Sequence, residues 1–180
     1  QLVDRIRAVW DKKLGDAERQ KLLKLDARLS LAEGNGNAEV VAMLEEIVEL
    51  DPLDGEALMM LGQHYAAQKQ PDRAMLYYER AASIEVFEAN ARIRHAQVLV
   101  ELERHAEAIP LLRRAQELKP REDLARYLEQ VERYAKAHDA YRKRVDDFCT
   151  QKHVPHHAVS TDVPFDQAIL DILRHGGLLA

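Results

Sequence analysis

The sequence predicts an all-α fold, an array of antiparallel helix pairs, and three observations predict it. The chain superposes on itself after a shift of 34 residues: Ala74 meets Ala108, Tyr78 meets Leu112, Ala81 meets Ala115, Gly62 meets Ala96 and Tyr65 meets Leu99. One period earlier the same columns hold Val40, Leu44 and Ile47. Apolar residues recur at steps of three and four, the helical spacing. Glycine and proline are few, seven and six in 180 residues, which favours helix over sandwich or barrel. A fixed period in this range marks stacked helix pairs. Each pair is too small to bury its own apolar face, so the pairs stack and leave a surface suited to holding another molecule.

The elements follow in order. Residues 1–16 form an N-terminal segment whose helix reads over 1–13, with Leu2, Ile6, Val9 and Trp10 on one face, and Gly15 and Asp16 interrupt it. Residues 17–122 form the repeat array. Its first helix runs from Ala17 to Glu33 with Leu22, Leu25, Leu29 and Ala32 as a stripe, and Asp16 is its N-cap. Gly34-Asn35-Gly36-Asn37 is a turn. Asn37 caps the next helix, which ends at Leu50 before Asp51-Pro52. Leu58, Leu61, Gly62 and Tyr65 lie on the first helix of the next unit. Pro71 suits the first turn of its second helix, where a missing N–H costs little, and Ala74, Tyr78 and Ala81 follow. A third unit runs from Asn90 to Leu118, closed by Lys119-Pro120, with Pro110 bending its second helix slightly. Residues 122–152 read as one long capping helix, roughly 45 Å at ~1.5 Å per residue. Its stripe is Leu124, Leu128, Val131, Ala135, His138, Tyr141, Val145 and Phe148, and a kink near Ala137 is left open. Residues 153–180 hold a loop, a short extended piece at 157–160, and a last helix capped by Thr161 or Asp162. Phe165, Ile169, Ile172 and Leu173 form that helix's contact face.

Composition narrows the function classes. A net charge of −5 gives no support to nucleic-acid binding, which needs a basic face. No apolar run approaches the length needed to cross a bilayer. The single cysteine, Cys149, cannot form an internal disulfide, which fits a reducing compartment and equally a cysteine-poor exported protein. The chain opens on Gln1 rather than Met, so the natural protein is expected to start upstream. The compartment stays open between cytoplasm, the favoured reading, and export or anchoring.

The columns of residues 21–122 resemble the tetratricopeptide repeat family. That family places large apolar residues, a small one and an aromatic or leucine on the first helix of each unit, as in Leu58, Leu61, Gly62 and Tyr65. It places small, aromatic and small residues on the second, as in Ala74, Tyr78 and Ala81, and a terminal proline, as at Pro52 and Pro120. The chain departs at Lys24 and Arg28, where an apolar and a small residue are expected, at Val86, which replaces the terminal proline, and at Arg92 and His95, which replace apolar residues. The tail from Tyr141 onward resembles the last strand and helix of a bacterial von Willebrand factor A-like family, through Thr161-Asp162-Val163-Pro164-Phe165 and Ala168, Ile169, Leu170, Leu173 and Arg174. The Asp-x-Ser-x-Ser metal motif of that family is absent, so no metal site comes with the resemblance. A lone strand and helix cannot build that domain.

The resemblance to the repeat family implies a concave face lined by the first helices, and it assigns Leu25, Leu29, Met59, Gln63, Ile93, Arg94, Gln97, Tyr127 and Val131 to it. Relatives that clamp the carboxylates of chaperone tails use lysines in the column held here by Leu25, Met59 and Ile93. That clamp is absent, and the groove suits an amphipathic helix or an apolar peptide. The one dense set of candidate metal ligands is Cys149, His153, His156 and His157. Thiolate and imidazole both suit zinc, but one arm of a structural site is missing and a helix end followed by a polar loop explains the residues. No Ser-His-Asp motif, phosphate loop or His-Glu-x-x-His occurs, and the three serines are Ser30, Ser83 and Ser160. The sequence therefore predicts a non-enzymatic scaffold without a cofactor, binding another protein, with self-association through the C-terminal helix as a further expectation. The alternative is a metal-binding or catalytic accessory role for the Cys149 cluster.

Overall fold

The computed structural model describes residues 15, 18, 21–22, 24–27, 29, 38–154 and 165–175. Its helices are α1 (Ala38–Leu50), α2 (Gly55–Ala67), α3 (Pro71–Ala82), α4 (Glu85–Glu101), α5 (His105–Leu118), α6 (Glu122–Gln151) and α7 (Phe165–His175). No strand occurs among the described residues. Residues 18, 21, 22, 24–27 and 29 are helical as well. The expected helix over 1–13, the caps at Asp16, Asn37 and Thr161 or Asp162, and the extended piece at 157–160 lie outside the described residues. The chain divides into two compact units, 1–135 and 136–180.

In the first unit the periodic residues make the core. Ala27, Val40, Leu44, Ile47, Leu58, Leu61, Tyr65, Ala74, Tyr78 and Ala81 are buried in one cluster, and Ala96, Leu99, Ala108, Leu112, Ala115, Leu124 and Val131 in a second, with Met75 touching both. Burying each leucine or tyrosine of this kind contributes about 1.5–3 kcal/mol. Close approach is set by glycine at two places. A Cβ on Gly62 would lie 2.6 Å from Cδ1 of Tyr78, so the ring rests directly on the backbone of α2. A Cβ on Gly55 would lie 2.7 Å from Cγ of Phe87, so the start of α4 rests on the start of α2 in the same way.

The second contact follows from the missing proline. Pro52 stands in the turn before α2, while Val86, one period later, lies inside α4. A proline at this position would push Glu85 before it out of the helical region; with Val86 there, α4 begins at Glu85, earlier than the expected Asn90, and carries Phe87 onto Gly55. Pro71 opens α3, and Pro110 lies within a continuous α5.

Asp54 caps α2: its Oδ1 accepts from the Ala57 N–H at 3.0 Å. Its other oxygen pairs with Lys24, and the carboxylate is buried. Lys24, out of place in the family pattern, thus joins the first helix of the array to the start of α2. Both α2 and α4 end in the same way. Lys69 (φ 55°) and Glu103 (φ 60°) are left-handed. The N–H of Lys69 reaches Ala66 O at 3.0 Å and that of Gln70 reaches Tyr65 O at 2.9 Å; Glu103 to Val100 (3.0 Å) and Arg104 to Leu99 (2.8 Å) repeat the pattern. These are Schellman closures built without glycine.

Candidate functional site

The first helices α2 and α4 contact each other directly, so equal positions one period apart share a face. Met59 and Ile93 are half-buried on it, each packed against one of the two cores. Gln63 is exposed, Gln97 half-buried and Arg94 exposed, with Arg94 Nη1 donating to Gln97 Oε1 at 3.3 Å. Leu25 and Leu29 are 48% and 44% exposed, more open than a core position allows. The columns end differently on α6. There the columns of Leu58, Leu61, Gly62 and Tyr65 hold Arg126, Glu129, Gln130 and Arg133, which stay exposed. Charged residues cannot enter the core unpaired, so the helix turns its apolar stripe inward instead. Leu124 and Val131 are buried, with Tyr127 and Leu128 half-buried beside them. Val131, placed on the binding face by its column, is a core residue at 3% exposure. It forms the floor of a cleft of about 190 Å³ lined also by Val100, His105, Tyr127, Gln130 and Tyr134. His105 and Tyr134 stack across it, ring centroids 5.6 Å apart.

A polar network ties α1, α2 and α3. Glu45 Oε1 accepts from the Tyr65 hydroxyl at 2.9 Å and the Tyr77 hydroxyl at 3.5 Å. The two rings stack at 5.5 Å, and Arg73 lies over Tyr65. Burial, then the Glu45 carboxylate, pushes both phenols above their ordinary value. Burial, opposed by Arg94 and aided by Glu101, pushes Tyr78 up to about 12. All three hydroxyls therefore stay protonated, and those of Tyr65 and Tyr77 donate to Glu45. On α4, Glu88 accepts from Arg92 Nε at 3.0 Å and Arg114 Nε at 3.2 Å. Desolvation raises its carboxyl, but the two guanidinium bonds outweigh that and hold it below the ordinary range. Arg92 is thereby accommodated in an apolar column. Burial pushes the His95 imidazole below its ordinary value, among Glu79, Arg104, Glu107 and Arg92. The bonds of Glu45 to Tyr65 and Tyr77 and of Glu88 to Arg114 connect neighbouring helices.

Of the candidate metal ligands, Cys149 is half-buried on α6. His153 (φ 55°) closes the C-terminus of that helix, its Nδ1 3.1 Å from Thr150 O. His156 and His157 lie outside the described residues. Among the described residues no three His, Cys, Asp or Glu side chains gather where they could hold a metal ion.

The second unit carries an apolar surface on its part of α6. On the distal half of α6, Tyr141 and Phe148 are 66% and 59% exposed, and Val145 lies between them. With Arg144, Asp147 and Gln151 they line an open groove of about 620 Å³. On α7, Ile169 is exposed and Ile172 and Leu173 are half-buried. No described helix is long and apolar enough to cross a membrane.

Comparison with known proteins adds the family context. Residues 37–115 match a family model described as anaphase-promoting complex, cyclosome, subunit 3. No curated protein matches the sequence. Two solved structures described as crystal structures of MamA share the architecture. One is 17% identical, covers 77% of this chain and 90% of its own, and has a TM-score of 0.57. The other is 19% identical, covers 90% of this chain and 94% of its own, also at 0.57. At this identity the likeness speaks for the fold. With the 34-residue columns forming helix pairs and Tyr78 seated on Gly62, the central segment of the chain is a tetratricopeptide-type repeat array.

Proposed function

We propose that the chain is a non-enzymatic interaction scaffold whose repeat array grips an amphipathic helix or apolar peptide on the face shared by its first helices. One observation carries the reading: the column Leu25, Met59 and Ile93 presents partly exposed apolar side chains where a carboxylate clamp would need lysine. The amides of Gln63 and Gln97 flank that column and supply hydrogen bonds to a bound backbone. Leu25 and Leu29, open by nearly half, extend the apolar surface by one unit. The cleft at Tyr127 and Val131 offers a pocket for an anchoring side chain at the other end.

The test is selection from a displayed peptide library, counter-selected with a Met59→Glu, Ile93→Glu double variant. Apolar or amphipathic sequences are expected to be enriched and to lose at least about tenfold in affinity for the double variant, since a bound apolar side chain would meet unpaired carboxylates. Enriched peptides that bind both proteins equally would place the binding surface elsewhere.

A further inference from the structure

Tyr78 carries one group that the packing does not use. The period places Leu44 before it and Leu112 after it, and both fill their positions at 0% exposure. An apolar side chain is therefore enough to join neighbouring units there. Tyr78 is 2% exposed, yet its hydroxyl has no hydrogen-bond partner among the described residues. A buried tyrosine usually gives its O–H a partner. Among the described residues no fully buried side-chain oxygen lacks one, so this oxygen meets solvent at its tip. A Cβ on Gly62 would lie 2.9 Å from Cζ of Tyr78, the carbon that bears the hydroxyl, so the hydroxyl emerges beside the backbone of α2 next to Gln63. The charges that act on it are those of Arg94 and Glu101, both exposed on α4. They stand about 10 Å apart along that helix at ~1.5 Å per residue. Neither forms an ion pair among the described residues.

We propose that the Tyr78 hydroxyl donates a hydrogen bond to a main-chain carbonyl of a peptide held in extended form along the seam between α2 and α4, with an acidic residue toward Arg94 and a basic one toward Glu101. This deepens the groove reading above and rests on it. Gln63 and Gln97 set two amides on the same face as the hydroxyl. A helix bonds its own carbonyls internally and would leave these groups unanswered. An extended chain presents free N–H and C=O groups to them. The stretch from Arg94 to Glu101 matches about three residues of extended chain at ~3.3 Å each. The donor thus stands between two opposite charges, and the charge order of the peptide fixes its direction.

The probes are displayed-library peptides that lose affinity for the full chain carrying Met59→Glu and Ile93→Glu. Tyr78→Phe is expected to weaken these peptides about three- to tenfold, the scale of one hydrogen bond, without lowering the melting temperature of the free protein. Selection against Arg94→Glu with Glu101→Arg is expected to return peptides in which the order of acidic and basic residues is reversed. Circular dichroism of the complexes is expected to show no helix gained by the peptide. Groove-dependent peptides that bind Tyr78→Phe as tightly as the wild type would overturn the proposal and leave the groove reading standing. The same holds for a fall in melting temperature with Tyr78→Phe, since the hydroxyl would then have a partner in the free protein. A peptide that becomes helical on binding, or an unchanged charge order after the exchange, also overturns it alone. Library peptides indifferent to the Met59→Glu, Ile93→Glu variant would overturn the groove reading and this proposal together.

Discussion

At Gly62 the ring of Tyr78 occupies the space of a side chain, so the position has no substitute. Gly62→Leu is expected to cost about 1–3 kcal/mol by overpacking, and more if the helices cannot separate; an unchanged melting temperature would contradict the contact. Gly55 has the same constraint from a different source. Gly55→Ala should destabilise the wild type and be neutral with Phe87→Ala, a coupling that a double-mutant cycle measures directly. The first glycine was legible, because the family pattern names its column. The second was not, because its partner reaches it only through the early start of α4. His95 gives a pH signature. Its folded value lies below the ordinary 6.5, so the unfolded chain binds the proton more tightly. Stability is then fully present above about pH 6.5 and is lost as the pH falls through the lower folded value. His95→Gln should flatten that part of the curve of melting temperature against pH; an identical slope would mean that another group titrates.

The helices themselves were read from spacing, and their ends were read less well. Proline signals located the turns before α2 and α3, but the closures of α2 and α4 carry Lys69 and Glu103 in left-handed geometry. Neither residue advertises such a conformation, which costs about 1–2 kcal/mol without glycine. Lys69→Gly and Glu103→Gly are each expected to raise stability by up to about 1 kcal/mol, readable as a rise in denaturation midpoint. The rotation of α6 was hidden for a related reason. Strict extrapolation of the period placed Val131 outward, yet Arg126, Glu129 and Arg133 occupy the inward columns and the apolar stripe decides the orientation. Asp54 shows how a cap can serve two elements. Asp54→Asn should keep most of the cap and lose the pairing with Lys24, while Asp54→Ala should lose both, at about 0.5–2 kcal/mol for the cap alone.

For the array as a whole, two cores joined through Met75 imply stability that varies along the chain. Leu112→Ala is expected to cost about 2–5 kcal/mol and to speed hydrogen exchange in α5 and α6 more than in α1. Equal acceleration everywhere would show a single cooperative block. The array was legible at this scale because its period is a property of many residues at once. The contact of Phe87 on Gly55 also bears on how such a chain can be lengthened by recombination. The residue one period after Gly55 is Ala89. A tandem duplication of residues 86–119 would set the second phenylalanine against a methyl group rather than a bare backbone. The junction therefore recognises which unit precedes it, and this array has a fixed order, unlike a string of interchangeable modules.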